Sequence, residues 1–208
     1  VFSGAGISAA AGIPTYRGPD GIWTRNPSLE HRMHARSLRN NFDSVVKEME
    51  DMRAGVLGKQ RTRAHKIIAD WERDHHVTVI TQNVDGLHSA AGSSRVLELH
   101  GSLLRTKTDT DGRSRPDVVL FGETLDKRVV KAADKAVRAA DVVLAIGTSA
   151  TVYPAADLLE MAANIVDLRL GYKLVWMNTH VPENSRLHSA VQVLGDVQVT
   201  IRQALSAS

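Results

Sequence analysis

The chain has 208 residues, of which 43% are hydrophobic and 24% are charged, and its formal net charge is +3. This balance is typical of a soluble globular protein with one sizeable domain. The chain contains no cysteine, which excludes disulfide bonds, thiolate nucleophiles and metal sites built from cysteine.

The absence of a targeting segment makes the cytoplasm the default location. No apolar run approaches the length of a membrane span and no signal peptide is visible, so we expect no membrane partner. Arginine and lysine are scattered without interleaved aromatic residues, which predicts a solvated surface and no specific nucleic-acid partner. The chain starts with Val1, only three residues before Gly4. A buried strand usually needs more residues than that, so we expect the natural chain to begin upstream.

Short apolar runs alternate with amphipathic stretches along the chain. Three β-branched runs predict buried strands, at residues 77–81, 141–147 and 173–178. Amphipathic stretches predict helices at residues 63–74 and 127–140, and a last helix at 196–205 with Asp196 as its N-cap. This alternation predicts an α/β fold: a Rossmann-like parallel sheet with helices on both faces. Ligands of such sheets bind at the carboxyl ends of the strands.

Two segments do not fit this alternation. Residues 14–41 form a long stretch rich in Arg, His and Pro, and residues 105–116 are polar and contain Gly112. Irregular segments of this length inside a compact domain are usually functional or mobile. We therefore predict a single domain over residues 1–208, with a loop at about 13–41 and a small, truncated insertion lobe at about 103–116.

The first motif is a glycine-containing turn. Residues 4–8, Gly-Ala-Gly-Ile-Ser, follow a short predicted strand and open a helix. Glycines at such a point allow backbone amides to approach a pyrophosphate at the helix N-terminus. The third glycine of the usual dinucleotide fingerprint is missing, so the turn alone favours a nucleotide site and a plain tight turn about equally.

Further short motifs follow in a fixed order. They lie at residues 12–18, 21–23, 81–88, 99–102, 118–123, 147–149 and 152–156, at Asn178 and at residues 195–197. The ordered set, from Val1 to about Leu205, resembles the sirtuin family. The resemblance implies NAD-dependent removal of acyl groups from protein lysines, with nicotinamide and O-acyl-ADP-ribose as products, and it makes the loop at 13–41 a cofactor-binding loop. Acylated-lysine proteins or peptides are the implied partners.

The resemblance also implies roles for individual residues. His100 would be the general base, and Asn83 would share in catalysis. NAD would be bound by Gly4, Ala5, Gly6, Ile13, Tyr16, Arg17, Gln82, Asn83, Asp85, Gly147, Thr148, Ser149, Asn178 and Val197. The acylated substrate would be bound by Val119, Phe121, Gly122, Glu123 and Val152.

His100 stands out among the nine histidines on chemical grounds as well. It titrates near neutral pH and precedes Gly101 and Ser102 after an apolar run, a setting that suits general-base work. His65 is expected to support helix packing. The remaining ones considered are expected to be exposed to solvent: His31, His34, His75, His76, His180 and His188.

The chain departs from the family pattern in one region. Most sirtuins carry two CxxC pairs that bind a structural zinc between the motifs at 99–102 and 118–123, whereas residues 102–120 contain neither Cys nor His. Thr106, Thr108, Asp109 and Asp111 cannot replace thiolates at a structural zinc. We therefore expect no zinc and a mobile loop, the remnant of the zinc module, at about 103–116.

Acyl preference stays open at this stage. Residues 118–123 resemble the desuccinylase-like branch, in which a Tyr and an Arg three residues later bind an acidic acyl group. The corresponding helix near residues 45–53 offers Met49, Met52 and Arg53 but no Tyr. Removal of either acetyl or succinyl groups is therefore compatible with the sequence.

Three other functions use the same pocket. Transfer of ADP-ribose to protein and simple hydrolysis of NAD are enzymatic alternatives, and His100 favours deacylation because family members specialised for transfer often lack that base. A non-catalytic NAD-sensing domain of a larger protein is the third alternative, which the abrupt start at Val1 makes plausible.

Overall fold

The computed structural model describes residues 1–203. Its main sheet contains β1 (Phe2–Ser3), β2 (Val79–Thr81), β3 (Val96–Glu98), β6 (Val142–Ile146), β7 (Lys173–Asn178) and β8 (Val191–Leu194). A separate antiparallel hairpin is made of β4 (Gly101–Thr108) and β5 (Ser114–Val118). The α-helices are α1 (Ile22–Arg25), α2 (Pro27–Arg32), α3 (Ala35–Asn40), α4 (Phe42–Val56), α5 (Arg63–Asp70), α6 (Leu87–Ala91), α7 (Lys127–Ala139), α8 (Asp157–Val166) and α9 (Val197–Thr200).

The main sheet is parallel throughout, with the strand order β3-β2-β1-β6-β7-β8. Phe2 pairs with Ile80 on one side and with Ala145 on the other, so β1 lies between the two halves of the sheet. The order of the strands reverses between β1 and β6. Ligands bind at such a switch point, outside the carboxyl ends of the strands. The predicted Rossmann-like α/β fold is confirmed.

Helices cover both faces of this sheet. Along β7, Leu174 and Trp176 pack into the cluster under α7 and α8, whereas Val175 and Met177 pack into the cluster under α5 and α9. Successive side chains of a strand point to opposite faces, so a strand buried on both faces is apolar at every position. This explains why β7 was readable as a continuous apolar run.

A third apolar cluster lies beside the sheet, under α1 to α4 and the hairpin. It includes Trp23, Met33, Met49, Leu103 and Leu120. The cluster joins the segment that follows β1 to the hairpin, and it thereby forms a wall next to the carboxyl ends of β1 and β2.

The predicted strands and helices are confirmed, with shifted ends. The strand predicted at 77–81 is β2, and the helix predicted at 63–74 is α5 followed by a 3-10 turn at Trp71–Arg73. Asp196 does cap α9, since its side chain accepts a hydrogen bond from the Gln198 amide. The end of that predicted helix, including Leu205, lies outside the described residues.

Two predictions about irregular segments are wrong. Residues 14–41 contain α1, α2 and α3, and local side-chain caps support α2 and α3. The Asn26 side chain accepts from the Leu29 amide, with Pro27 at the first helical position, and the His34 side chain accepts from the Arg36 amide.

The interval at 103–116 is likewise not a loop but most of the β4–β5 hairpin. Asp109 closes its turn: its amide donates to the Arg113 carbonyl at 2.9 Å, and its carboxylate accepts from the amides of Asp111 and Arg113. Gly112 has a φ of 78°, which this tight turn requires. Within residues 1–203, no helix is both long enough and apolar enough to cross a bilayer.

Candidate active site

A cleft of about 780 Å³ opens at the carboxyl ends of β1, β2, β6 and β7. It is bounded by the loop before α1 on one side and by the hairpin and the segment after β5 on the other. The cleft is lined by most of the site residues that were predicted from the sequence: Gly4, Ala5, Gly6, Tyr16, Arg17, Gln82, Asn83, His100, Val119, Phe121, Gly122, Glu123, Gly147, Thr148, Ser149, Val152, Asn178 and Val197. The fold therefore gathers distant motifs into one site.

Glycines bring two strand-end loops into direct contact at the floor of the cleft. The Gly6 amide donates to the Gly147 carbonyl at 2.8 Å, and the Gly4 amide donates to Ile146. A Cβ atom added at Gly6 would lie 2.8 Å from the Gly147 Cα, and Gly147 itself has a φ of 57°. No side chain fits between these backbones. The Gly6 amide is already engaged within the protein, so the glycine motif serves close packing of the loops after β1 and β6.

A series of hydrogen-bonded polar residues connects the ends of three strands. The Thr148 hydroxyl donates to the Gln82 side-chain oxygen at 2.8 Å, and the Asn178 amide donates to the Thr148 carbonyl at 2.7 Å. These contacts link the ends of β2, β6 and β7. They fix the orientation of amide and hydroxyl groups that can bind ribose hydroxyls.

His100 lines the cleft and has a defined tautomer. Its Nδ1 lies 3.1 Å from the Gln82 carbonyl oxygen. A carbonyl can only accept, so Nδ1 carries the proton and Nε2 keeps a free lone pair. Burial lowers the pKa of His100 below its usual value, opposed by the bond to Gln82. The imidazole is therefore neutral at pH 7, as a general base must be.

A buried hydrogen-bond network stands behind Asn83. The Asn83 side-chain amide donates to the Ser8 hydroxyl at 3.1 Å, and that hydroxyl donates to the Asp85 carboxylate at 2.6 Å. The second Asp85 oxygen accepts from the Leu87 amide. Asp85 and Ile13 are the two nominated residues that do not line the cleft, since both are buried in the layer behind it.

Ser8 belongs to this network but was not nominated from the sequence. The serine in the Gly-Ala-Gly-Ile-Ser turn was the available signal, because a buried hydroxyl needs a hydrogen-bond partner.

One end of the cleft is apolar and aromatic. Tyr16 packs on Trp23 with a centroid distance of 5.2 Å, and Trp23 meets Phe121 edge-on at 5.9 Å. Burial, followed by the charge of Asp85, raises the pKa of Tyr16, so its hydroxyl stays neutral. Residues not nominated from the sequence complete this end: Met33, Met52, Val118, Leu120 and Leu125.

Carboxylates outnumber cations in the lining of the cleft, which includes Asp20, Glu123, Glu183 and Asp196. Among the described residues, Arg17 is the only arginine or lysine in the lining, and it lies 3.3 Å from Glu30. The carboxylate of Glu123 is occupied by the Arg115 guanidinium and by the Leu120 amide. The described lining thus has one arginine, in the loop that precedes α1, and four carboxylates, of which Glu123 is paired with Arg115.

The other histidines with a predicted environment lie as expected. His31, His34, His75, His76, His180 and His188 are exposed, although His180 also contributes to the rim of the cleft. His65 is fully buried in α5 and takes part in its capping box.

The residues present do not fit a structural zinc. The chain has no cysteine, so a site with four thiolates cannot form. Across residues 1–203, no three His, Asp or Glu side chains come together in an arrangement that could hold a metal ion. The region where a zinc lobe would stand is the β4–β5 hairpin.

Comparison with known proteins agrees with this geometry. The model of the Sir2 family matches residues 4–114 and 106–154. The chain is 40% identical over 196 residues to the NAD-dependent protein deacylase 1 of Caldanaerobacter subterraneus, covering 81% of this chain and 80% of the relative. It resembles a triple mutant of a Sir2 homologue in complex with 2′-O-acetyl ADP ribose, with a TM-score of 0.84 and 33% identity, covering 99% of this chain and 89% of the other.

A second solved structure, a complex of Sir2 with a p53 peptide and NAD+, has a TM-score of 0.78 and 26% identity. It covers 99% of this chain and 90% of the other. The family model matches well over half of the chain, and the relatives and structures extend the match beyond it. The chain therefore belongs to the Sir2 family of NAD-dependent protein deacylases.

Proposed function

We propose that this cleft removes acyl groups from lysine side chains of other proteins, with His100 as general base. The observation that carries the proposal is the bond between His100 Nδ1 and the Gln82 carbonyl, which leaves a neutral Nε2 in the cleft. Proton removal by such a group typically contributes about 10²–10⁴-fold to a rate. A site that only sensed NAD would not need this arrangement.

The polar half of the cleft fits NAD. The glycine-lined floor, the linked side chains of Gln82, Thr148 and Asn178, and the single cation Arg17 suit a ligand with ribose hydroxyls and a pyrophosphate. In this proposal Ser149, Asn178 and Val197 bind the adenosine half, and Ala5, Gly6 and Arg17 lie near the pyrophosphate. When bound, NAD supplies an electrophilic ribose carbon once nicotinamide leaves.

The residues around the reacting ribose have separate roles. Gln82 and Asn83 orient the nicotinamide ribose, and Ile13 and Asp85 support the carboxamide pocket from behind. His100 removes a proton from a ribose hydroxyl, which can then attack the acyl carbon. Tyr16 and Trp23 cover the site against water, because their stacked rings form its apolar wall.

The apolar half of the cleft receives the acyl-lysine. Val119, Phe121, Gly122, Glu123 and Val152 line the approach to it, and the substrate backbone pairs with these segments as an added strand. The far wall contains Met33, Met52 and Leu125, without a cation. An acidic acyl group would lose its hydration there without gaining a partner. We therefore infer acetyl and longer aliphatic acyl groups as substrates.

Arg53 does not alter this inference. Its guanidinium donates to the carbonyls of Leu103 and Arg105 and pairs with Glu50, so it is engaged with the hairpin and with its own helix. It is absent from the cleft lining. Removal of succinyl groups, which the sequence left open, is therefore disfavoured by the position of Arg53, the arginine that the corresponding helix offers.

Product analysis tests the proposal. The protein would be incubated with NAD and matched peptides carrying acetyl-, butyryl- or succinyl-lysine, and the products measured by mass spectrometry. We expect free lysine, nicotinamide and O-acyl-ADP-ribose from acetyl and butyryl peptides, with succinyl at least about 10-fold slower, the cost of one missing charge-assisted contact. ADP-ribosylated protein, or free ADP-ribose without lysine release, would instead identify a transferase or an NAD hydrolase. Absence of all products would leave a sensing domain.

A further inference from the structure

The hairpin that stands in place of a zinc lobe is joined to the cleft at both of its ends. β4 begins at Gly101, directly after His100, and β5 ends at Val118, directly before Val119. The Val119 amide donates to the His100 carbonyl at 2.9 Å. Any shift of the hairpin therefore moves the general base and the acyl-lysine segment together.

Pairing within the hairpin is interrupted near its base. The register shifts between Ser102 and Thr106, so the intervening residues of β4 lack a regular partner on β5. Such a bulge leaves backbone groups unpaired and bends the strand. Unpaired carbonyls at this place need donors from elsewhere in the protein.

Arg53, on α4, supplies those donors. Its Nε lies 2.5 Å from the Leu103 carbonyl oxygen, and its Nη2 lies 2.8 Å from the Arg105 carbonyl and 3.1 Å from the Thr106 hydroxyl. Glu50, one turn earlier, holds the guanidinium through Nη1 at 2.9 Å. The planar fork of arginine suits several acceptors at once, which a lysine ammonium does not match. The bulge is thereby fastened to α4.

Arg115, on β5, fastens the other strand to the cleft. The residue is only 8% exposed. Its Nη1 donates to the Val118 carbonyl at 2.8 Å, and its Nη2 pairs with the Glu123 carboxylate. The other Glu123 oxygen accepts from the Leu120 amide at 2.9 Å. Arg115 and Glu123 thus close the segment of residues 118–123, which lines the cleft.

We propose that Arg53 and Arg115, the arginine pair, replace a structural metal in this chain and act as positioning residues for the acyl-lysine site. One arginine holds the bulged strand to α4, and the other holds the substrate-binding segment to β5. This inference rests on the proposed function for its kinetic part alone. The donor set agrees with it, since these contacts satisfy carbonyls and a carboxylate without any thiolate or imidazole ligand.

The test combines substrate kinetics with backbone hydrogen exchange. Arg115→Gln and Arg53→Gln are each expected to raise KM for an acetyl-lysine peptide by about 10-fold to 10²-fold, the effect of misplacing a binding segment by about 1 Å. The Kd for NAD should stay within about 2-fold, because the polar half of the cleft lies on the sheet. Amides of residues 101–118 should exchange faster. Arg138→Gln, which removes an exposed pair with Asp134 on α7, is the matched control and should change none of these.

Metal dependence and the conservative variants complete the test. The purified protein should contain no stoichiometric zinc, and a chelator should alter neither hairpin exchange nor KM. Arg115→Lys and Arg53→Lys keep the charge, so they serve if the glutamine variants fail to fold, and they should give smaller changes in the same direction. Unchanged KM and exchange in all four variants would overturn the proposal, as would tightly held zinc whose removal loosens the hairpin. If the protein deacylates no peptide, the proposed function fails, yet exchange still decides whether the pair holds the hairpin.

Discussion

The Ser8 hydroxyl donates a hydrogen bond of 2.6 Å to the Asp85 carboxylate, so a buried negative charge stands directly behind the Asn83 amide. The three side chains come from the turn after β1 and the loop after β2. Asp85 does not touch the cleft itself. Asp85 holds the Ser8 hydroxyl, and that hydroxyl in turn holds the Asn83 amide, which we propose lies next to the nicotinamide ribose.

Replacing the carboxylate should therefore impair the first chemical stage. We expect Asp85→Asn to lower exchange of labelled nicotinamide into NAD by about 10²-fold, because a slightly misplaced Asn83 loses most of its orienting effect. Asn83→Ala should do at least as much. Asp134→Asn, on the exposed face of α7, is the control. Normal nicotinamide exchange in either Asp85→Asn or Asn83→Ala would remove the Ser8–Asn83–Asp85 network from the reaction.

His100 is expected to act after nicotinamide has left. His100→Ala should lower deacylation by about 10²–10⁴-fold, the usual contribution of a general base, while the Kd for NAD changes little. Isothermal titration and peptide turnover measure the two quantities separately. A variant with full product formation would show that another group accepts the proton.

The acid limb of the pH profile of kcat should report the protonation of His100. The active form of His100 is neutral, and burial lowers its pKa below the usual value of 6.5. Its neutral fraction therefore persists to lower pH, and kcat should fall only once the pH is below 6.5. An acid limb centred above 6.5 would contradict this assignment, and in His100→Ala the limb should disappear.

The residues at the strand ends of this site could be predicted from the sequence because they follow runs that are recognisable as strands. Gln82, Gly147 and Asn178 each come at or directly after a buried apolar run, and parallel strands bring their carboxyl ends to one edge. Met33 and Met52 could not be predicted in the same way. They reach the cleft through the apolar cluster in which α4 packs against the hairpin, which is a tertiary arrangement with no local pattern.

The two wrong predictions have a common physical origin. α1, α2 and α3 have four to six residues, too few for a hydrophobic period to be readable. The hairpin is polar on its outer part, and its order comes from Asp109 at the turn and from contacts of Arg53, which is distant in sequence. Caps such as Asn26 before Pro27 were the signals present for the first segment.

A pair of buried histidines should make folding sensitive to acid. The rings of His65 and His88 are 4.6 Å apart, and each has one nitrogen without a partner among the described residues. Burial lowers the pKa of His65 to about 4, against a smaller opposing effect of Asp85, and lowers that of His88 through burial and the neighbouring His65. The folded protein therefore resists protonation that the unfolded chain accepts near pH 6.5.

These lowered pKa values set the direction in which the free energy of unfolding changes with pH. Above about pH 6.5 both states are neutral and the stabilisation is complete, and as the pH falls from 6.5 towards 4 the unfolded chain takes up protons and the free energy of unfolding decreases. Urea unfolding at pH 7.5 and 5 measures the difference. In His88→Gln, which keeps a polar side chain next to the Ser3 hydroxyl, the decrease should be smaller. Equal pH dependence in both proteins would contradict the role of the pair.

Two glycine-to-alanine changes separate a required glycine from a dispensable one. Gly101, beside His100, has a φ of 76°, and an added Cβ would lie 2.0 Å from the Asp117 carbonyl oxygen. The backbone of β5 would have to move, so Gly101→Ala should lower the free energy of unfolding by more than about 2 kcal/mol and displace the general base His100.

Gly55 lies within α4 with open space around its Cβ position. Gly55→Ala should instead stabilise the protein by about 0.5–1 kcal/mol, since alanine loses less backbone entropy in a helix. Thermal unfolding and peptide turnover, measured for both variants, check the two predictions. If Gly101→Ala leaves stability and turnover unchanged, the base of the hairpin can shift without moving His100.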